Sequence, residues 1–217
     1  MANVAVVLAG CGVYDGSEIY ETVVTLLTLD RHDAQYQCFA PDIDQLHVIN
    51  HLTGEVAEGE SRNVLVEAAR LARGDIKNLN SLQVDDYDAI LFPGGFGVAK
   101  NLCSFATEGV SMTIDEEVKR VAKAFADAGK PAGYICIAPS MVASIYGFGV
   151  KCTIGNDADT AKALETMGAE HIECRVDDIV VDAERKVLTT PAYMLAERIS
   201  EAASGIEKLV TKLLAMT

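Results

Sequence analysis

Cys136 ends a short apolar run, Pro131-Ala-Gly-Tyr-Ile135, and leads straight into the small-residue segment Ile137-Ala-Pro-Ser140. A thiol in a sharp strand-to-helix turn is displayed at a sheet edge, where a helix start favours the thiolate. That arrangement suits a nucleophile. The competing reading is a buried small hydrophobe, the usual role of a free cysteine.

Two glutamates, Glu18 and Glu21, lie in the first turn of the helix that follows the first strand. In a doubly wound sheet the loops after neighbouring strands converge on one crevice, so either carboxylate can face Cys136. A glutamate beside a thiol supplies a general acid or base, with its pKa raised if the site is dry. Alternatively, both acids only complement the helix dipole, at about 0.3–1 kcal/mol each.

The run Phe92-Pro-Gly-Gly-Phe-Gly97 puts glycines where backbone N–H groups can point into the same crevice. With the N–H of Ile137 such donors would make an oxyanion hole; the plainer reading is a turn that needs backbone freedom.

Other patterns fail on inspection. Gly10-Cys-Gly-Val-Tyr-Asp-Gly16 looks like a dinucleotide-binding turn, with Asp42 as its ribose acid, but Glu18 and Glu21 would repel a pyrophosphate. Gly94 to Asn101 approaches a P-loop, yet Ala99 replaces a required glycine and Asn101 the magnesium-binding hydroxyl. His47 and His51 are spaced to share a helix face, but no glutamate follows His47 as a zinc-protease pattern demands. His171, at the head of a predicted strand over 169–174, can assist Cys136 only if that strand lies beside it.

The elements that must position these groups follow from hydropathy patterning. Apolar β-rich runs fall at 3–8, 35–40, 88–92, 131–135, and 179–181 with 187–190; helical patterns fall at about 19–30, 62–73 and 115–128, with a last helix over 194–215. Alternating strands and helices predict an α/β fold with a doubly wound, mostly parallel sheet, helices on both faces and a small late hairpin. Residues 42–61 fit no regular element, as expected of a functional insertion or an extra hairpin.

At 217 residues the chain suits a single domain over 1–217. Its formal charge of −14, with scattered Lys and Arg, argues against a nucleic-acid partner, and no apolar run approaches a membrane span. The start at Asn3-Val-Ala-Val-Val-Leu8 has no basic leader region, so the expected compartment is the cytoplasm, with the six cysteines reduced. No C-x-x-C pair occurs, and neither a metal nor a cofactor is expected.

In family order, Gly16-Ser-Glu-Ile-Tyr-Glu-Thr-Val23, Phe92-Pro-Gly-Gly95 and Gly133-Tyr-Ile-Cys-Ile-Ala-Pro139 resemble the PfpI-like branch of the class I glutamine amidotransferase-like superfamily, which implies a flavodoxin-like three-layer sandwich. Gly10–Glu18, Val48-Ile-Asn-His-Leu-Thr-Gly-Glu55, Pro93–Gly97 and Thr189-Thr-Pro-Ala-Tyr-Met194 are similar, more narrowly, to the ElbB family of isoprenoid-biosynthesis-associated glyoxalases.

The resemblance implies that Cys136 is the nucleophile, that Glu21 contacts its sulfur with Glu18 as second choice, and that Gly95 and Ile137 are the backbone donors while Gly94 shapes the turn. It further implies a cofactor-independent conversion of glyoxal or a similar small dicarbonyl to glycolate, in a homodimer. No histidine closely follows Cys136, and Lys151-Cys-Thr-Ile-Gly155 has none, so a Cys-His-Glu glutaminase is disfavoured. The non-enzymatic alternative is an exposed, low-pKa Cys136 that senses peroxide by oxidation.

Overall fold

The computed structural model describes all residues from 1 to 217. Eleven strands form in chain order: β1 Asn3–Val7, β2 Gln35–Ala40, β3 Ile49–Asn50, β4 Glu55–Val56, β5 Ile76–Asn78, β6 Ala89–Phe92, β7 Ala132–Ile135, β8 Lys151–Cys152, β9 Glu170–His171, β10 Val180–Asp182 and β11 Val187–Thr190. The α-helices are α1 Ile19–Arg31, α2 Val64–Leu71, α3 Phe105–Glu108, α4 Glu116–Asp127, α5 Val142–Tyr146, α6 Ala158–Thr166 and α7 Ile199–Leu214.

The main sheet has seven strands in the order β10-β11-β7-β6-β1-β2-β5, all parallel except β10, which pairs antiparallel with β11. Side chains of β1 alternate between two cores. Val4, Val6 and Leu8 pack with Leu29 of α1 and Ile206, Leu209 and Val210 of α7, while Ala5, Val7 and Ala9 pack with Val118, Val121 and Phe125 of α4. A strand covered on both faces needs apolar residues at every position, which is why residues 4–9 read as a continuous apolar run. The architecture is the flavodoxin-like three-layer sandwich.

The sheet reverses its winding at β1, whose neighbours are β2 on one side and β6 on the other. A crevice opens beyond the carboxyl ends of the strands at such a switch point. The segments after β1, β6 and β7 all meet there.

Several elements differ from the sequence expectation. The 42–61 segment folds as a small β3-β4 hairpin, so His47 and His51 share no helix face; His51 instead packs against Tyr14, ring centroids 5.0 Å apart. β5 was not foreseen, since this edge strand has only three residues, none of them fully buried. β8 and β9 form a separate two-stranded sheet in which His171 Nε2 accepts the Ile154 N–H, and His171 is therefore no neighbour of Cys136. The last helix starts at Ile199 rather than at Met194, because a 3-10 turn over Ala192–Met194, with Ala192 at a φ of 44°, comes first.

Candidate active site

Cys136 follows β7 directly and has a φ of 63°, in the left-handed region that side chains with a Cβ avoid. Such strain persists only where neighbours over-determine it. Here the Cys136 N–H donates to Thr190 O at 3.0 Å, extending the β7-β11 ladder through the turn. On the other side Gly94 leaves the space: a Cβ there would stand 2.3 Å from Cys136 Cβ. Sequence grammar foresaw this sharp turn.

The β1-α1 segment supplies the carboxylates. Glu18 is the N-cap of α1, its Oε2 accepting the Glu21 N–H at 2.6 Å, so it occupies the place an anionic phosphate would take on a dinucleotide-binding turn. Glu21 lies one turn into the helix and is completely buried. The inward face of α1 is unusually polar, and Thr22, Thr25 and Thr28 satisfy their hydroxyls by donating to Glu18 O, Glu21 O and Val24 O.

Glu21 is held from two sides. Gly94 N–H donates to its Oε2 at 2.9 Å, and Tyr193 N–H, from the turn after β11, donates to Oε1 at 3.2 Å. Its carboxyl and the Cys136 side chain border the same face of Gly94, 2.6 Å and 2.3 Å from where a Cβ there would stand, and the N–H groups of Gly95 and Ile137 act on the thiol as donors. Gly95 has a φ of 100°, and a Cβ there would stand 2.4 Å from Glu18 N and Gly16 O. Glycine is required at this point for both conformation and space. Glu18 N–H to Gly94 O, Phe96 N–H to Val13 O and Gly97 N–H to Gly16 O stitch the two turns together at 2.8–2.9 Å.

Electrostatics follow from burial. Burial, reinforced by the nearby Glu18 charge, pushes Glu21 up to about 8. The Cys136 thiol is pushed well above its ordinary value, first by burial and then by the Glu21 charge, while the N–H groups of Gly95 and Ile137 pull the other way. Burial thus works against the thiolate expected at a helix start. The thiol is only 7% exposed, and the helical segments after it are a four-residue 3-10 turn and the five-residue α5, a short dipole.

Cys136 lines a cleft of about 560 Å³. Glu18, Gly95 and Ile137 reach it as well, but no histidine lines it. Sequence reasoning missed part of the wall, namely Phe105, Asp157 and Thr160, which come from α3 and the start of α6. Tyr193 belongs to a recognised motif, but its role as a donor to Glu21 had no sequence signal beyond its place after a strand that neighbours β7.

No protein-family model matches the chain. A human protein named glutamine amidotransferase-like class 1 domain-containing protein 3, mitochondrial, is 47% identical over 225 aligned positions, covering 100% of this chain and 84% of that protein. The crystal structure of an isoprenoid biosynthesis protein with amidotransferase-like domain from Ehrlichia chaffeensis superposes with a TM-score of 0.93 at 37% identity, covering 100% of this chain and 99% of that one. The chain belongs to the ElbB/ES1 family of class I glutamine amidotransferase-like proteins. Beyond this ElbB/ES1 family the fold extends to more distant proteins. Glyoxalase III from Candida albicans has a TM-score of 0.62 at 14% identity, covering 99% of this chain and 97% of that one. No helix of the ElbB/ES1 chain is long and apolar enough to cross a membrane.

Proposed function

We propose that the protein is a cofactor-independent glyoxalase that converts glyoxal or a related 2-oxoaldehyde to the 2-hydroxy acid, with Cys136 as nucleophile and Glu21 as general acid and base. The juxtaposition of a buried carboxyl and a buried thiol, both packed against Gly94, carries this reading. Such a pair titrates as a unit. When it holds one proton, that proton can sit on sulfur or pass to Glu21, and the second state is a thiolate faced by the Glu21 O–H and the N–H groups of Gly95 and Ile137.

The thiolate adds to one aldehyde carbon of the substrate, and the carbonyl oxygen takes the Glu21 proton, giving a hemithioacetal. Oxygen on the carbon bonded to sulfur lies within reach of the Gly95 and Ile137 N–H groups, which stabilise the charge as it develops. Glu21 carboxylate then removes the C–H proton from that carbon, leaving an enediolate. The hydroxyl proton moves to the oxygen of the second carbon, and Glu21 returns its own proton to that carbon. One carbon is thereby oxidised to a thioester while the other is reduced to an alcohol. Water hydrolyses the thioester, releasing glycolate from glyoxal and restoring the thiol. Glu18 caps the helix that carries Glu21 and has no place in the proton path.

Glycolate formation from glyoxal tests the reading: Cys136→Ala is expected to abolish it, and wild-type turnover in that variant would exclude the covalent route. Glu21→Gln is expected to lower the rate by about 10²–10⁴. An equal loss in Glu18→Gln, with Glu21→Gln active, would transfer the role to Glu18.

A further inference from the structure

The cleft is much larger than glyoxal needs and of a different character. At about 560 Å³ it falls within the roughly 300–1,000 Å³ of sites that take whole small molecules. Much of its wall is apolar and aromatic: Val13, Phe96, Phe105 and Met194 line it.

Its charge is equally one-sided. The carboxylates on the wall are Glu18 and Asp157, with no lysine, arginine or histidine among the lining residues. Asp157 is the N-cap of α6, and its hydrogen bonds with Thr160 hold its carboxyl below the usual range, so the rim is anionic at neutral pH. That same cap occupies the helix end that would otherwise attract an anion. Lys100 Nζ stands 5.8 Å from the Phe96 ring centroid, but it donates to Tyr14 O at 2.8 Å and does not line the cleft. A carboxylate entering here finds no cationic side chain and meets two carboxylates.

We propose that this cleft selects uncharged carbonyl compounds that carry an apolar substituent, such as aryl or alkyl 2-oxoaldehydes, and rejects those that carry a carboxylate. As a statement about turnover this rests on the glyoxalase reading above. Phe96 and Phe105 receive the substituent while the aldehyde reaches Cys136, and Asp157 sets the charge selectivity.

Two measurements separate this inference from the reading beneath it. In the first, kcat/KM is compared for glyoxal, phenylglyoxal and 4-carboxyphenylglyoxal. Phenylglyoxal is expected to exceed glyoxal about 10-fold or more, and to exceed its carboxylated analogue by a similar factor. Phe96→Ala should lower the phenylglyoxal-to-glyoxal ratio, and Asp157→Asn, which keeps a helix cap, should narrow the gap to the carboxylated analogue. Glyoxal handled as well as phenylglyoxal, or no discrimination against the carboxylate, overturns the inference.

The second measurement needs no turnover. Rates of Cys136 modification by benzyl, methyl, 2-sulfonatoethyl and 2-trimethylammonioethyl methanethiosulfonates are read by peptide mass and divided by the rates with glutathione. The benzyl reagent should lead and the sulfonate should trail, by about 10-fold each. That order with no aldehyde turned over would sink the glyoxalase reading and keep the cleft's selectivity. Equal normalised rates, or a lead by the cationic reagent, would sink the selectivity whatever the turnover.

Discussion

Gly94 donates its backbone N–H to Glu21 Oε2 at 2.9 Å, and a Cβ at the same residue would stand 2.6 Å from that oxygen and 2.3 Å from Cys136 Cβ. One glycine thus fixes the carboxylate and clears the way for the strained cysteine. Gly94→Ala should destabilise the fold by about 1–3 kcal/mol through overpacking. It should also lower kcat/KM about 100-fold or more, because a displacement near 1 Å separates the acid from the sulfur. Denaturant melts and glyoxal kinetics check both, and a variant with wild-type turnover would show that the contact can relax.

The φ of 63° at Cys136 makes a prediction independent of catalysis. Replacing alanine by glycine usually costs about 0.5–1 kcal/mol, through the entropy of the unfolded chain. In the left-handed region a Cβ costs about 1–2 kcal/mol, so the usual order should reverse. Cys136→Gly is expected to be more stable than Cys136→Ala by about 0.5–1 kcal/mol in urea melts at equal pH. Cys136→Ala as the more stable of the two would show that the elbow stores no strain.

Local rules revealed the centre of the site and little of its rim. A cysteine between an apolar run and a small-residue helix start, glycines after β6 and acids after β1 each obey β-to-α turn grammar, which needs only a few adjacent residues. β1 and β6 were legible for the same reason, as strands buried on both faces. Phe105, Asp157 and Thr160 reach the cleft through tertiary approach of α3 and α6, which no local pattern encodes. The inward face of α1 misleads hydropathy reading, because Thr22, Thr25 and Thr28 are buried while Tyr20, Val23 and Leu27 are exposed. The thiol's protonation has no local signal, because it depends first on the burial of Cys136 itself and then on the Glu21 charge, which Gly94 and Tyr193 hold in place from distant strands.

Burial of Glu21 makes both stability and rate depend on pH. Its folded value of about 8 lies above the ordinary 4.5, so the folded state binds the extra proton between these values. Stability is therefore greatest at the acidic side of that window for this group and falls as pH rises through it. Glu21→Gln carries no charge at any pH. Relative to wild type it should gain on the order of a few kcal/mol between pH 5 and pH 8.5, read from urea midpoints. If the singly protonated pair is the reacting state, wild-type kcat/KM should rise about tenfold per pH unit below about 8 and then level off. A rate flat from pH 6 to pH 9 would remove Glu21 titration from the mechanism.

Asn101 ties the insertion hairpin to the turn that carries the acids. It is 7% exposed, in the π-helical turn Val98–Leu102; its Nδ2 donates to Ala9 O at 3.0 Å and Asp15 O at 2.9 Å, while its Oδ1 accepts the Leu46 N–H at 2.9 Å. Asp15 Oδ2 in turn accepts the Ile49 N–H at 2.7 Å, and His51 Nε2 accepts the Tyr14 N–H at 3.2 Å, so hairpin and turn are joined at several points. Removing the amide leaves two buried carbonyls and one N–H without partners, each costing about 1–3 kcal/mol. Asn101→Ala should therefore lose roughly 2–4 kcal/mol, the lower sum allowing for partial relaxation. Asn101→Asp should be no better, since a carboxylate cannot donate to either carbonyl. The turn carries Glu18 and is bonded to Gly94 and Gly97, so loosening it should also reduce kcat/KM for glyoxal more in these variants than in a substitution of equal ΔΔG on α4. Equal losses of rate in the two cases would make Asn101 a stabilising residue without a positioning role.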